Sequence, residues 1–116
     1  MNIIFGNTHE LDSKHIILEL DTFRLGPNGP EQTAYCIIEN MPLEEMIIVE
    51  NLKESHQQLM NEYRNQNWNE CEQIINKLMG KWGGEIDSFY EILNSRISEL
   101  KTQIIDKSWT GIIEKS

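Results

Sequence analysis

The sequence predicts an α+β fold, in which an N-terminal antiparallel β-hairpin or small sheet is followed by a three-helix bundle. Two observations lead to this prediction. The first third of the chain carries Ile- and Leu-rich stretches around a Gly/Pro turn, and from residue 50 onward apolar residues recur at spacings of three and four. Because the chain has 116 residues, we expect a single domain, 1–116, with a β-rich part at 1–40, a helical part at 41–106 and a tail at 107–116 that packs back.

The predicted strands lie in the β-rich part. A short strand at 2–5 ends at a Gly-Asn pair, and the first long candidate is His15–Leu25, which is rich in Ile and Leu. Residues 26–30 read Gly-Pro-Asn-Gly-Pro and can only form a turn or loop. Thr33–Glu39 is the second long candidate because it combines aromatic and β-branched residues. An isolated hairpin is marginally stable in water, so this pair must pack on the helices.

The first helical segment follows Pro42, which suits a first helical position and precedes two glutamates that favour the positive end of the helix dipole. Residues 46–49, Met-Ile-Ile-Val, are apolar without a helical period and indicate a buried turn or a short helix before a bend. From Glu50 the period is clear, and we expect the helix to end near Gln66. Its apolar stripe consists of Leu52, His56, Leu59 and Tyr63.

The second helix is predicted to begin at Asn67, a favourable N-cap, with Glu70 three residues later as in a capping box. Gly80 is expected to end it. Two helices joined by so short a turn must run antiparallel. The stripe of this helix consists of Trp68, Cys71, Ile75 and Leu78, with Ile74 beside it.

The third helix follows a linker at 81–84 and has the most regular apolar spacing in the chain. A stripe of this kind indicates either the core face of the bundle or a seam for a partner helix or a second copy. Its members are Ile86, Phe89, Leu93, Ile97, Leu100 and Ile104.

The pattern Leu59, Tyr63, Trp68 and Cys71 resembles a tetratricopeptide-like (TPR-like) helical hairpin that is one residue short. More extensively, residues 18–116 resemble the C-terminal tail of cyanobacterial-type class III adenylate/guanylate cyclases. There a closing β-hairpin is followed by TPR-like helices. The matching residues are Leu18–Gly26 and Ala34–Glu39 in the hairpin, Tyr63, Arg64, Trp68 and Cys71 in the helical pair, Asp87 and Arg96 in the third helix, and Trp109, Gly111, Ile112 and Lys115 in the tail.

This resemblance implies a detached tail module without a catalytic core. The metal-binding aspartates, the purine-recognising pair and the Asn/Arg pair of such cyclases lie upstream of the closing hairpin, where this chain has no room for them. The basic turn of the cyclase hairpin is also replaced, by Leu-Gly-Pro-Asn-Gly at 25–29. The chain also resembles, more loosely, small uncharacterised proteins of marine tailed phages, which implies a phage-encoded module acting on a host protein.

The net charge of −9 opposes binding to a phosphate backbone and to anionic membranes. No apolar run approaches the ~20 residues that span a bilayer, and residues 1–8 lack the features of a signal peptide. We therefore expect a cytoplasmic protein without nucleic-acid or membrane partners. Cys36 and Cys71 are expected to be buried free thiols.

A search for catalytic chemistry finds one cluster of metal-ligand types, His9, Asp12 and His15. It could hold zinc, but a solvated loop is the preferred interpretation. His56 is interpreted as a hydrogen-bonded histidine at the core edge, and Cys71, which has no basic neighbour in sequence, as a packing residue. No phosphate-binding glycine loop is present. We therefore predict that the protein is not an enzyme and uses no cofactor or metal.

The tryptophans suggest a protein partner. Trp68 is expected to pin the helical hairpin, while Trp82 and Trp109 either pack in the core or, if exposed, anchor a partner. The partner-binding residues that we predict are Trp82, Trp109, Tyr90 and Arg96. The expected function is a non-catalytic protein–protein interaction or regulatory module, with a homodimer through strand edges or helix stripes as one form. The alternative is a small, nucleotide-like ligand in a pocket between sheet and helices, and a hydrolase using His9–His15 ranks third.

Overall fold

The fold is a four-stranded sheet with helices packed on one face. A computed structural model describes residues 2–5, 16–26, 29–38 and 42–115. The strands are β1 (Asn2–Phe5), β2 (Ile16–Leu25), β3 (Glu31–Ile38) and β4 (Ile113–Lys115), in the sheet order β1-β3-β2-β4. The helices are α1 (Leu43–Met46), α2 (Val49–Arg64), α3 (Trp68–Leu78) and α4 (Asp87–Leu100), with a 3₁₀ turn at Trp82–Gly84. The predicted α+β fold is confirmed.

The predicted antiparallel hairpin is formed by β2 and β3. Its register shifts between Glu19 and Thr22, so that Leu20 and Asp21 together face the single residue Ala34. A bulge of this kind re-aims a side chain, and here it leaves Asp21 directed towards α4. At the other end, Gly26 begins the turn with a φ of +73°, a backbone conformation that side chains disfavour.

The two outer strands extend this hairpin on either side. β1 pairs antiparallel with β3, as the short strand predicted at 2–5 allows, whereas β4 pairs in parallel with β2 through Phe23 and Ile113. The tail therefore folds back as predicted, but the sequence did not indicate that it would become a strand.

The break predicted at 46–49 is a turn at residues 47–48 between α1 and α2. Three of its four side chains are exposed, Met46 by 55%, Ile47 by 84% and Ile48 by 38%, and Val49 packs partly against the core. The buried-turn alternative is therefore wrong, and a short helix before a bend is what forms. The stripe predicted for α2 is buried along its whole length.

Helices α2 and α3 form the predicted antiparallel hairpin, in which Cys71 Sγ lies 3.9 Å from the carbonyl oxygen of Leu59. The predicted capping box is wrong. Asn67 is the N-cap residue, but its side-chain amide donates to Glu62 at 2.7 Å and its backbone N–H donates to the Glu62 carbonyl at 3.0 Å. Gln66, with a φ of +62°, turns the chain back onto the last turn of α2, so Glu62 takes the place expected for Glu70.

The stripe predicted for the third helix faces the core. Ile86, Phe89, Leu93 and Ile97 are at most 7% exposed. Ile104, which is fully exposed, lies beyond the end of α4 at Leu100. The seam alternative is therefore wrong for these four residues, because the chain's own sheet and helices bury them.

The core lies between the helix-facing side of the sheet and the three long helices. Burying this apolar surface is the main source of stability in a domain of this size. Its sheet side comprises Leu18, Leu20, Ala34, Cys36 and Ile38, and its helical side includes Leu59, Met60, Ile75, Leu78, Tyr90 and Leu93. Within the part of the chain that the structure describes, no helix is long and apolar enough to cross a membrane.

Candidate interaction surface

Burial changes abruptly between β3 and its neighbour β1. Ile3 is paired with Cys36 and Phe5 with Ala34, so each pair shares the helix-facing side of the sheet. Cys36 and Ala34 are 0% and 4% exposed, whereas Ile3 and Phe5 are 49% and 61% exposed. The helical layer therefore covers β2 and β3 and stops short of β1.

An apolar groove occupies the uncovered strip between β1 and α4. Its volume is about 200 Å³. The rings of Phe5 and Phe23 form part of its floor, with centroids 6.3 Å apart, and Ile92, 58% exposed, forms the α4 side. The remaining lining residues are Ile3, Leu20, Asp21, Ala34, Ser88 and Phe89. Among the described strands, β1 lies at the edge of the sheet and carries no charged residue, so this groove adjoins backbone groups that an edge leaves available for pairing.

Among the described residues that line the groove, Asp21 is the charged one, and it is held by Arg96 of α4. Two guanidinium nitrogens of Arg96 donate to the two carboxylate oxygens at 2.8 and 3.2 Å, and one of them also donates to the Tyr63 hydroxyl at 3.3 Å. These bonds, foremost those to Asp21, raise the pKa of Arg96 and keep it charged. These hydrogen bonds already use the donors of the guanidinium that a phosphate would need for bidentate binding.

A buried chain of hydrogen bonds joins the 3₁₀ turn, α4, α2 and β2. Nε2 of His56 lies 2.6 Å from the carbonyl oxygen of Glu19, and Nδ1 lies 2.9 Å from the Tyr90 hydroxyl. A carbonyl only accepts, so Nε2 carries the proton and Nδ1 accepts from Tyr90. The Tyr90 oxygen in turn accepts from Trp82 Nε1 at 3.1 Å. Every polar atom of the three side chains is thereby satisfied without water.

The same burial keeps these groups uncharged. Desolvation lowers the pKa of His56 from 6.5 to about 4 and raises the pKa of Tyr90 well above its ordinary value. The imidazole is neutral at pH 7 and has no exposed nitrogen. The predicted role of His56 as a hydrogen-bonded core-edge residue is confirmed.

An aromatic cluster fastens the tail to the helical hairpin. Trp109 lies edge-on to Tyr63 and Trp68, with centroid distances of 5.2 and 5.6 Å. Tyr63 and Trp68 are themselves 5.9 Å apart, an arrangement that aromatic pairs favour. Gly111 crosses the Tyr63 ring so closely that a Cβ there would lie 3.0 Å from Cε2. Residues on which the cyclase-tail resemblance rests thus meet here as packing partners.

Both cysteines are buried free thiols, as predicted. Burial, assisted by nearby carboxylates, raises the pKa of Cys36 to about 11 and that of Cys71 to about 12. Neither thiol has the depressed pKa that a nucleophile needs at neutral pH.

The four residues predicted to bind a partner have different positions. Trp82 and Tyr90 are both 0% exposed, so the core alternative for Trp82 is correct and neither side chain can contact a partner in this fold. Trp109 is half-buried in the aromatic cluster, and Arg96 is bound to Asp21. Of the two alternatives that the sequence left open for Trp82, core packing and an exposed anchor, core packing is what the structure has, with Nε1 bonded to the Tyr90 hydroxyl.

The cluster of His9, Asp12 and His15 lies outside the described residues. Among the residues that are described, no three His, Cys, Asp or Glu side chains come together as a metal site would require. Asp87, matched to the cyclase tail together with Arg96, instead accepts a hydrogen bond from the backbone N–H of Gly80 at 2.9 Å.

A second exposed apolar segment lies at α1 and the turn after it. Leu43 is 76% exposed and Ile47 is 84% exposed, while the neighbouring Glu45 is buried and accepts a hydrogen bond from the Gly83 N–H at 3.3 Å. As described, this segment is a short helix and a turn, so it has no strand edge of its own. It therefore lacks the directional backbone groups that the β1 groove combines with apolar surface.

The sequence-based prediction missed the groove residues Ile3, Phe5 and Ile92. One signal was present: residues 2–5 contain no charge, although edge strands are usually protected by charged residues. A second signal is Ile92, an apolar residue outside the regular apolar stripe of α4. A functional apolar surface would explain why an apolar residue is found at this exposed position.

No family model matches the chain, and neither the curated proteins nor the solved structures contain a match to it.

Proposed function

We propose that the protein is a non-catalytic interaction module that binds an extended segment of another protein along β1. The observation that carries this proposal is the loss of burial from β3 to β1, which leaves Ile3 and Phe5 half exposed beside an apolar groove. A bound strand would pair with the outer edge of β1 and place alternate side chains over the groove. Main-chain hydrogen bonds would supply affinity, and the groove would supply selectivity.

Two further features support binding over catalysis. Two buried polar side chains of the core, His56 and Tyr90, are bonded to each other and are at most 1% exposed, which leaves them no access to a substrate. The thiols have raised pKa values, and Arg96 is saturated by Asp21. His56, Tyr90 and Arg96 are thereby engaged in holding the fold.

A small apolar ligand in the groove is the second candidate, because the groove lies between sheet and helix. Its volume of about 200 Å³ is smaller than the roughly 300–1,000 Å³ of typical ligand pockets. Asp21, its charged lining residue, is acidic, which disfavours a nucleotide in particular. An extended peptide needs less depth, since only alternate side chains enter.

The proposal can be tested by selecting peptides from a random library on the immobilised protein and mapping where they bind. We expect selected peptides to shift the backbone amide signals of Asn2–Phe5 in NMR spectra. Ile92→Lys should weaken their binding by about tenfold or more, since a charge would enter an apolar contact. Ile104→Lys is the matched control, because Ile104 is fully exposed elsewhere, and it should leave affinity unchanged.

Both variants change an exposed residue, so both should fold. Peptides that bind equally to both variants and shift amides far from β1 would contradict the proposal. A selection that recovers no specific peptide would contradict it as well.

A further inference from the structure

We infer that the segment bound at β1 is a basic strand, with apolar residues at alternate positions and Lys or Arg at its ends. This inference rests on the proposed function and names the chemistry of its partner. Three features of the surface lead to it: the periodicity of the exposed side chains, the charge around the groove, and the repulsion that a second copy would meet.

The alternation follows from the geometry of β1. Ile3 and Phe5 point to the helix-facing side, while Ile4, between them, is opposite Tyr35 on the other side. A strand added to this edge has the same period of two, so every second residue would lie over Ile3, Phe5 and Ile92. Those residues must be apolar to bury this surface. With four residues in β1, the pairing segment is short.

The charge of the ends follows from the acidic surroundings. The protein carries −9 overall. On α4, Glu91 precedes Ile92 in the sequence and is exposed. The basic residue of α4, Arg96, is neutralised by Asp21, which lines the groove. A partner with Lys or Arg outside the apolar pairing region would therefore be attracted, and one with Asp or Glu would be repelled.

A second copy of the chain would offer the same uncharged strand, β1, for pairing. The second copy is also negatively charged, so the two molecules would repel each other. Two molecules at −9 each would bring Glu91 and its acidic surroundings towards like charge. The apolar contact of two β1 strands would have to overcome that repulsion. The negative electrostatic field of the protein attracts a basic partner, whereas it repels a second copy of the chain.

Three synthetic peptides test the inference directly. Each carries the same core of about six residues, with Val and Ile alternating with Thr, and the cores are flanked by Lys, by Ser or by Glu. Affinities are measured by fluorescence anisotropy at low and at high salt. We expect the Lys-flanked peptide to bind on the order of tenfold more tightly than the Ser-flanked one at low salt, and the Glu-flanked one to bind most weakly. High salt should reduce these differences.

Two charge-reversal variants separate local from overall electrostatics. Glu91→Lys should reduce or invert the preference for Lys over Glu flanks. Glu54→Lys changes the net charge equally but lies on α2 beside Ile17 and Leu18 of β2, outside the groove, and β3 separates β2 from β1. It should leave most of the preference intact.

The outcomes are distinguishable. Equal binding of the three peptides at β1 would overturn the basic-partner inference and leave strand addition standing. Failure of all three, together with failure of the library selection, would overturn both proposals. Light scattering that finds a dimer at micromolar concentration, dissociated by Phe5→Lys, would identify a second copy as the occupant and overturn the inference.

Discussion

The hydroxyl of Tyr90 donates a hydrogen bond to Nδ1 of His56 at 2.9 Å, and both side chains are buried. This bond is possible because the Glu19 carbonyl holds the proton of the imidazole on Nε2. One contact between α4 and α2 is therefore set by a backbone atom of β2. The helical layer and the sheet are joined at this point by polar geometry as well as by apolar packing.

Tyr90→Phe removes this hydroxyl without changing the shape of the ring. Nδ1 of His56 then lacks a donor and Trp82 Nε1 lacks an acceptor, so we expect the free energy of unfolding to fall by about 1–3 kcal/mol. Urea denaturation measures the change. Tyr35→Phe, at a half-buried position on the other face of the sheet, is the control and should cost about 0.5 kcal/mol or less. Equal costs in the two variants would show that the network contributes nothing.

His56 should make stability depend on pH in the acid range. Its pKa is 6.5 in the unfolded chain and about 4 in the fold, so protons bind the unfolded state first and favour unfolding. The contribution of neutral His56 is complete above pH 6.5, declines as the pH falls towards 4, and is lost below that. A shift of this size corresponds to about 3 kcal/mol. NMR titration of the folded protein checks it: an imidazole of His56 that titrates near 6.5 would contradict the prediction.

The elements that could be predicted from the sequence are those with a local sequence pattern, such as a regular apolar spacing or a turn-forming segment. The spacing of Leu52, His56, Leu59 and Tyr63 defines the buried face of α2 because a helix repeats every 3.6 residues, whatever it packs against. The hairpin could also be predicted from the sequence, because residues 26–30 allow the chain few conformations other than a turn. In these segments local chemistry and tertiary structure agree.

What the sequence could not indicate depends on long-range contacts. β4 has three residues and no alternation, and it is a strand only because the tail meets the free edge of β2. Trp82 lies between Lys81 and two glycines, a context typical of exposed loops, yet Tyr90 draws its indole into the core. The groove exists because the helices cover β2 and β3 but not β1. This depends on the width of the helical layer relative to the sheet, and no sequence motif encodes it.

Gly111→Ala should detach or distort the tail. Both Gly111 and Gly80 have a φ near +80°, so an alanine at either position costs about 1–2 kcal/mol from backbone strain. Only at Gly111 would the new Cβ also press on Tyr63, at 3.0 Å, since nothing lies within 4 Å of the corresponding position at Gly80. We expect Gly111→Ala to cost about 1 kcal/mol more than Gly80→Ala and to alter tryptophan emission through Trp109. Equal costs would mean that Tyr63 yields freely.

The ion pair of Arg96 and Asp21 should be worth more than a surface pair of the same length. Its side chains are 25% and 13% exposed and its shortest N–O distance is 2.8 Å, whereas Lys101 and Glu72 lie 2.7 Å apart but are 39% and 32% exposed. Two hydrogen bonds join Arg96 to Asp21, and because the pair is partly buried, dissolved ions screen its attraction less. Double-mutant cycles with alanine should give a coupling energy of about 1.5–3 kcal/mol for Arg96 with Asp21. For Lys101 with Glu72 we expect about 1 kcal/mol or less.

Salt provides the second measurement on the same two cycles. Raising the ionic strength to about 1 M shortens the screening length to about 3 Å, so the coupling of Lys101 with Glu72 should vanish. That of Arg96 with Asp21 should largely persist, because the bulge at Leu20 and Asp21 holds the carboxylate on the helix-facing side, where water and ions have less access. Equal loss of both couplings would mean that this pair is solvated like a surface pair, and that the bulge does not shield Asp21.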